Sequence, residues 1–341
     1  MPFNPSFILF SSSLILGTLI TITSNSWFAA WIGLEINLLS FIPLLISGSP
    51  LSSESALKYF LTQALASSSL LLTIMILYFL LSFNLMNYFS SPDFFMLLSL
   101  PLFLKAGVAP FHFWFPMIIE GMKWNNSFIL LTWQKIAPFI LLTYFINSSL
   151  FFITPILFSA YIGAIGGFNQ TSLRKIMAFS SINHMSLNII RYINKPISIY
   201  NLSPYLHPSH LLVILIFKNF NMNFISQTYS FPNMSFNLKL MIFLNFLSLG
   251  GLPPFLGFFP KWMIILSMIY FNMITLIFWM LMMSLLTLYF YSRISYSTFM
   301  FNFSEMKFYL FPNYHSSNLI IFMTSLSTLG LPLIMLINFF I

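Results

Sequence analysis

The sequence predicts an all-α protein that crosses a membrane about eleven times, and two observations support this prediction. Of the 341 residues, 59% are hydrophobic and only 5% are charged, which is roughly a fifth of the charged share of a soluble domain. In addition, apolar runs of about 20 residues, the length that spans a bilayer, recur along the whole chain. These runs are continuous and lack a period-two alternation, which favours helices over a β-barrel.

Each predicted span lies between short breaks that are rich in Asn, Ser, Pro or charge. In order, the spans cover residues 5–22, 27–46, 57–81, 94–116, 127–146, 150–168, 175–190, 209–226, 239–270, 272–293 and 318–340. The seventh and eighth spans are separated by a segment crowded with proline and basic side chains, between Arg191 and Pro208. We interpret the chain as a single transmembrane domain, residues 1–341, that ends in the helix 318–340.

The composition excludes several classes of protein. The 13 Lys and Arg outnumber the 5 Asp and Glu, but they are scattered among apolar residues, whereas nucleic-acid binding needs clustered Lys and Arg on a wettable face. The chain has no cysteine, so it can hold neither a disulfide framework nor a thiolate metal site. A soluble enzyme, a nucleic-acid-binding protein and a disulfide-rich secreted scaffold are therefore excluded.

The distribution of basic residues predicts the orientation in the membrane. If the N-terminus lies on the side of synthesis, the even-numbered connections on that side hold or border Lys58, Lys123, Arg174, Lys175, Lys239, Arg293 and Lys307. The opposite side receives mainly Arg191 and Lys195. We therefore expect an inside N-terminus and, with an odd number of spans, an outside C-terminus. We also expect no signal or transit peptide and, from the Phe-, Ile-, Leu-, Met- and Asn-rich composition, synthesis inside an organelle.

An internal repeat interrupts two of the apolar runs in the same way. The segments 107–116 and 251–260 align at a constant offset of 144 residues and share Gly, Pro, Phe, Phe and Pro at equivalent positions. Proline removes a backbone donor and clashes with the preceding turn, so we expect discontinuous helices within 94–116 and 239–270. These helices define two repeat-like halves, residues 27–168 and 169–293, in an inverted arrangement typical of antiporters. Matched breaks indicate an ion site near mid-membrane, although single prolines often kink membrane helices without a function.

Four ionisable residues occupy four different predicted spans at depths from which a side chain reaches the interface only with difficulty. They are Glu35 in the second span, Lys105 and Lys261 near the two breaks, and Lys135 in the fifth span. A charge at such depth costs a few kcal/mol. Each residue alone could form a structural ion pair or reach the interface, but three lysines cannot all be neutralised by one glutamate. Since burial of an unpaired ammonium favours the neutral amine, such lysines can exchange protons near neutral pH. We interpret the four residues as a proton relay.

The histidines fall into two groups. His112 lies in the first break and His184 in the seventh span, where each can either join the relay or pack between helices. His207, His210 and His315 are interpreted as loop or interface residues, and no third ligand accompanies the first two, so we expect no metal site. Glu54 and Lys58 are expected to pair across one helical turn.

Several of these motifs together resemble a known family. They are residues 31–37 (WIGLEIN), 105–114 (KAGVAPFHFW), 133–138 (WQKIAP), 169–175 (NQTSLRK), 249–255 (LGGLPPF) and 261–262 (KW). Between residues 17 and 293, they follow the order found in a subunit family of mitochondrial NADH:ubiquinone oxidoreductase (respiratory complex I), in its arthropod-like form. The sequence departs from the family after His184, where relatives usually continue with Gly-Trp and this chain has Met185-Ser186.

The resemblance implies one of the three antiporter-like subunits of the membrane arm, in the mitochondrial inner membrane. In that family, the residues that match Glu35, Lys105, Lys135 and Lys261 form the central hydrophilic axis that moves protons. The resemblance also implies no cofactor in this chain, because NAD, FMN, the iron–sulfur clusters and ubiquinone bind to other subunits. The expected partners are other membrane-arm subunits and lipids, without nucleic acid, and the chain is not expected to function alone.

Two alternatives use the same residues differently. A free-standing secondary cation/proton antiporter would share the broken helices and buried charges, but an ion gradient would drive it. A purely structural spacer would use the lysines only for packing and hydration.

Overall fold

The computed structural model describes residues 5–83, 91–144, 150–194, 213–219, 221–229, 236–299, 324–325 and 327–332. In this described part, the regular structure is helical, and extended pairing is limited to an isolated antiparallel bridge between Ser172 and Phe224. The predicted all-α class is confirmed.

The helices follow one another with short connections. They are α1 (Pro5–Thr23), α2 (Trp27–Leu45), α3 (Pro50–Ser82), α4 (Ser91–Ala106), α5 (Trp114–Gly121), α6 (Trp124–Leu131), α7 (Trp133–Thr143), α8 (Leu150–Phe168), α9 (Leu173–Asn194), α10 (Ile225–Tyr229), α11 (Phe236–Gly250), α12 (Phe258–Tyr270) and α13 (Ile274–Phe299). Further helical stretches cover residues 213–219 and 327–332.

Five of the described helices are long and apolar enough to cross a membrane. They comprise α1, α2, Pro50–Leu80 of α3, Phe151–Phe168 of α8 and Ile274–Tyr296 of α13. Large apolar side chains point outward from these helices, and Leu65 and Phe278, for example, are both 66% exposed. A surface of this kind suits lipid rather than water. The chain is therefore a multi-pass membrane protein.

The chain forms two compact units, residues 1–159 and 160–341. In the first unit, α3 packs against α2, α4 and α5, while α7 packs against α4 and α1. The first two helices approach so closely that a Cβ atom on Gly33 would lie 2.9 Å from the carbonyl oxygen of Gly17. Small residues allow such close backbone contact between membrane helices.

The second unit is built around α9, α11, α12 and α13. Helix α13 packs against α9, α10, α11 and α12. Its Arg293 donates from Nη1 to the carbonyl oxygen of Phe168 (2.6 Å) and from Nη2 to that of Gln170 (2.8 Å). This guanidinium satisfies the carbonyl of Phe168, which ends α8 and has no helical partner, and the carbonyl of Gln170 in the connection that follows. The two repeat-like halves expected from the sequence, 27–168 and 169–293, remain a prediction.

Both expected discontinuous helices are present. The first is α4 and α5 with residues 107–113 between them, and the second is α11 and α12 with residues 251–257 between them. Gly107 and Gly251, equivalent in the repeat, begin the two breaks with φ values of +73° and +75°. Only glycine adopts this region without steric cost. The peptide bonds before Pro110 and Pro254 are both cis.

Three predicted spans differ from the structure or lie largely outside its described residues. The fifth span, expected as one helix, is divided at Thr132 into α6 and α7. The Thr132 hydroxyl donates to the carbonyl oxygen of Phe128 at 2.8 Å, a back-bond that commonly bends helices. The eighth span, expected as one helix over 209–226, is helical over 213–219, with Lys218 exposed, but residues 221–224 are not helical and Asn221 has a φ of +50°. Most of the terminal helix 318–340 lies outside the described residues.

Candidate functional site

Lys105 and Lys135 line the same cavity in the first unit. Lys105 lies in the last turn of α4, and Lys135 lies in the first turn of α7. Each side chain is only 7% exposed. The cavity has a volume of about 20 Å³, which is enough for about one water molecule. Two lysines far apart in sequence therefore face one small polar space.

The end of α4 favours a cation at Lys105. Carbonyl groups at a helix C-terminus carry partial negative charge, and the helix ends one residue after this lysine because Gly107 turns the chain. The indole Nε1 of Trp114, at the start of α5, donates to the carbonyl oxygen of Leu104 at 3.1 Å. This bond holds the two parts of the broken helix together beside the lysine.

An aromatic ring faces Lys135. The Nζ atom of Lys135 lies 4.5 Å from the ring centroid of Phe115, a geometry in which the ring quadrupole attracts an ammonium group. Phe115 lies on α5 and is buried. The helix after the break thus contributes directly to the surroundings of the second lysine.

A hydrogen-bonded group of polar side chains completes the cavity wall. Gln134 donates from Nε2 to Oδ1 of Asn37 at 3.0 Å. The hydroxyl of Tyr59 donates to Oε1 of Gln134 at 3.5 Å, and Gln63 also lines the cavity. Asn37 and Gln134 lie within the motifs WIGLEIN and WQKIAP, but no role was predicted for either, and Tyr59 and Gln63 were not among the candidates. The sequence signal for these four residues is a polar side chain inside an apolar helix. Many polar residues with a purely structural role give the same signal.

Glu35 lies near this cavity without joining the lysine directly. It is half-buried on α2, two residues before Asn37, whose side chain lines the cavity. Between these two described residues, no salt bridge within 4.0 Å forms. The expected interaction between Glu35 and Lys105 is therefore longer than a contact pair. The expected pair of Glu54 and Lys58 is a direct contact, at 2.6 Å.

Lys261 lies in the first turn of α12, directly after the second break, in the other unit. Its Nζ donates to the carbonyl oxygen of Gly250, the last residue of α11. Its side chain lies against Gly251, where a Cβ atom would be 2.8 Å from Cδ, Cε and Nζ. A cavity of about 30 Å³ beside it is lined mainly by apolar side chains, including Leu187, Met268 and Met280. Both breaks thus place a lysine beside the carbonyl end of a helix.

The histidines take different positions. His112 is buried within the first break, where its Nδ1 lies 3.2 Å from the carbonyl oxygen of Pro110, and it is not among the residues that line the cavity. His184 is buried on α9 in the second unit. His207, His210 and His315 lie outside the described residues. Among the residues that are described, no three His, Cys, Asp or Glu side chains are arranged to hold a metal ion.

Comparison with known proteins identifies the family. A family model described as "NADH:quinone oxidoreductase/Mrp antiporter, TM" matches residues 24–287. The chain is 47% identical over 311 residues to NADH-ubiquinone oxidoreductase chain 2 of Anopheles gambiae, which covers 90% of each chain. It is also 47% identical over 333 residues to the same protein of Aedes aegypti, covering 96% of this chain and 97% of that one.

Solved structures share the fold. A chain of respiratory complex I from Thermus thermophilus with bound aureothin superposes with a TM-score of 0.78 at 20% identity, covering 96% of this chain and 78% of that chain. A chain of the Mrp complex from Dietzia sp. DQ12-45-1b superposes with a TM-score of 0.71 at 17% identity, covering 84% of this chain and 59% of that chain. The antiporter-like fold and the arthropod-like resemblance expected from the motifs are confirmed. This chain belongs to the NADH-ubiquinone oxidoreductase chain 2 family.

Proposed function

We propose that this chain moves protons across the mitochondrial inner membrane as a membrane-arm subunit of respiratory complex I. The family supports this assignment, since its members are named as a chain of NADH-ubiquinone oxidoreductase. The observation that carries the proton-moving role is the cavity shared by Lys105 and Lys135. The proposed order is entry near Glu35 and Lys105, transfer to Lys135, and exit by Lys261.

The first transfer follows from the chemistry of the cavity. The ammonium of Lys105 donates a proton to a water in the shared space, and that water donates its own proton to the neutral amine of Lys135. The proton that arrives turns Lys135 into an ammonium facing the ring of Phe115, 4.5 Å away, which favours the cation. The negative charge of Glu35 helps Lys105 to take up the next proton.

The energy for this movement comes from elsewhere in the assembly. Moving one charge against a potential of 100 mV costs about 2.3 kcal/mol. We assign the driving reaction to electron transfer from NADH to ubiquinone in other subunits, which hold the FMN and iron–sulfur clusters. His112 and His184 are assigned auxiliary roles in the relay.

Substitution of the first two relay residues tests the proposal. In assembled complex I reconstituted into liposomes, Lys105→Met and Glu35→Gln are expected to lower proton pumping and NADH:quinone turnover together, because the relay and the redox reaction are coupled. Lys123→Met is the control, since Lys123 is exposed and precedes α6, outside the cavity. Normal proton-to-electron ratios at normal rates in either relay variant would contradict the proposal.

The antiporter alternative retains one supporting observation, the fold shared with a chain of the Mrp complex. Salt-driven proton exchange by the isolated chain in liposomes would favour it. Unchanged pumping in a Lys135→Met or Lys261→Met complex would instead favour a structural spacer. The family assignment favours the complex I subunit over the free-standing antiporter, and the paired breaks favour a proton-moving role over a structural spacer.

A further inference from the structure

Helix α7 begins directly after an interruption of the helical backbone. Side-chain contacts therefore help to fix the position of its first turn. Thr132 separates α6 from α7, so a continuous helical backbone does not fix the start of α7. Gln134 and Lys135 are the second and third residues of the helix. Whatever holds Gln134 therefore also sets where Lys135 points into the cavity.

Gln134 is held from two other helices. Its amide nitrogen donates to Asn37 of α2, and its amide oxygen accepts from Tyr59 of α3. Both partners are rigidly placed, because Asn37 and Tyr59 are 3% and 4% exposed. The Tyr59 ring packs edge-on against Phe41 and Trp114, with centroids 5.1 and 6.1 Å away. The three polar side chains, Asn37, Tyr59 and Gln134, form what we term the amide clamp.

The amide clamp lines the same cavity as the two lysines. None of its members titrates near neutral pH, so the clamp cannot itself carry the proton as an acid or a base. Gln134 still has one N–H donor and further acceptor capacity after these two bonds. It can therefore orient a water in a cavity of about 20 Å³ while fixing the first turn of α7.

We propose that Gln134 is a positioning residue for proton transfer: anchored by Asn37 and Tyr59, it holds Lys135 in place at the cavity that this lysine shares with Lys105. This inference rests on the proposed function, because it concerns the first transfer of that relay. Proton transfer through one water depends steeply on distance and alignment, and small misplacement of reacting groups can cost about 100-fold in rate.

Two substitutions weaken the clamp to different extents. Gln134→Leu removes both bonds, and we expect turnover per assembled complex to fall about tenfold. Tyr59→Phe removes only the hydroxyl and keeps the packed ring, so we expect a fall of about threefold. In both variants the solvent deuterium isotope effect on turnover is expected to rise, because the transfer between the lysines becomes rate-limiting. The double variant is expected to be no slower than Gln134→Leu, since Tyr59 acts through Gln134.

The control is another buried amide in the same unit. Asn126 is 7% exposed and donates from Nδ2 to the carbonyl oxygen of Leu44 at 2.6 Å, but it does not line the cavity. Asn126→Leu is expected to change the amount of assembled complex, without changing turnover per complex or its isotope effect. The loss of a buried hydrogen bond alone is therefore not expected to lower turnover per complex or to raise the isotope effect, both of which are expected for Gln134→Leu.

The outcomes separate this inference from the proposed function. Parental turnover and isotope effect in Gln134→Leu, together with lost pumping in Lys135→Met, overturn the positioning role alone. Normal pumping in Lys135→Met overturns the proposed relay and this inference with it. An isotope effect raised equally by Asn126→Leu also overturns the inference. If the Gln134→Leu complex does not assemble, the Tyr59→Phe variant provides the test. Parental turnover and a parental isotope effect in Tyr59→Phe would then contradict the positioning role of Gln134.

Discussion

At the scale of single residues, the charged side chains of this membrane protein differ in how they are compensated. Lys58 is exposed and pairs with Glu54 one helical turn away, whereas Lys105 and Lys135 are buried beside a small cavity. Arg293 is a third case, because its guanidinium satisfies two backbone carbonyls at the end of α8. An exposed pair contributes little to stability, while a charged donor to otherwise unsatisfied carbonyls contributes more.

This difference gives a stability prediction for Arg293. We expect Arg293→Met to destabilise the fold by about 2–4 kcal/mol, because two carbonyl groups lose charged hydrogen bonds. Arg293→Lys is expected to recover only part of this loss, since an ammonium lacks the planar fork of donors. The measurement is the temperature at which half of the chain leaves the assembled complex on native gels.

Lys58→Met is the matched control for this prediction. Its pair with Glu54 is 44% and 58% exposed, so we expect a change of at most about 1 kcal/mol. Equal effects of Lys58→Met and Arg293→Met would show that the two carbonyl contacts do not stabilise the chain.

At the scale of elements, the two broken helices each place a lysine at a carbonyl end, but they do so in different ways. In the first, Lys105 precedes the break, in the last turn of α4. In the second, Lys261 follows the break and reaches back to Gly250. The equivalent glycines Gly107 and Gly251 both take positive φ values. The two repeats therefore share the backbone conformation at the start of the break, but they differ in which side of the break carries the lysine.

The second break predicts a specific effect of Gly251→Ala. An added Cβ would meet Lys261 at 2.8 Å, so we expect the lysine to lose its bond to Gly250 and proton pumping to fall. The positive φ adds a backbone penalty of about 1–2 kcal/mol. Pumping and turnover of the assembled variant complex provide the measurement.

Gly48→Ala is the control for the backbone penalty. Gly48 has a φ of +81° and nothing within 4 Å of an added Cβ, so its substitution strains the chain without touching a lysine. If Gly48→Ala lowered pumping as much as Gly251→Ala, backbone strain would explain the effect, and the contact with Lys261 would not.

At the scale of the whole molecule, the orientation predicted from the basic residues can be tested directly because the chain has no native cysteine. With the N-terminus on the matrix side, the connection before α2 faces the intermembrane space and the start of α3 faces the matrix. Asn25→Cys is therefore expected to react with an impermeant thiol reagent in mitoplasts, and Ser53→Cys in inside-out vesicles. Both positions are exposed. The reverse pattern of labelling would reverse the topology.

Assembly is the second property of the whole molecule that can be measured. Native electrophoresis of mildly solubilised mitochondrial membranes, with an NADH-oxidation stain and mass spectrometry, is expected to place this chain in the stained high-mass band. The expectation follows from its membership of the NADH-ubiquinone oxidoreductase chain 2 family. Migration at low mass beside an intact stained band would instead support a free-standing antiporter, and ion-flux assays would follow.

The sequence by itself determined the class, the two helix breaks and the four ionisable candidates. These features are visible in one dimension, because a bilayer demands long apolar runs, proline and glycine interrupt helices locally, and a charge within an apolar run is conspicuous. Their roles in the relay stay predictions. The motifs around Glu35, Lys105, Lys135 and the second break were also long enough to identify the family.

Tertiary structure alone decided which of these residues meet. It placed Lys105 and Lys135 at one cavity, left Glu35 beyond direct contact, and brought Asn37 and Tyr59 to Gln134. It also divided the fifth span at Thr132. Such contacts join helices far apart in the chain, and they depend on helix rotation and depth, which apolar periodicity leaves undetermined when nearly every position is hydrophobic.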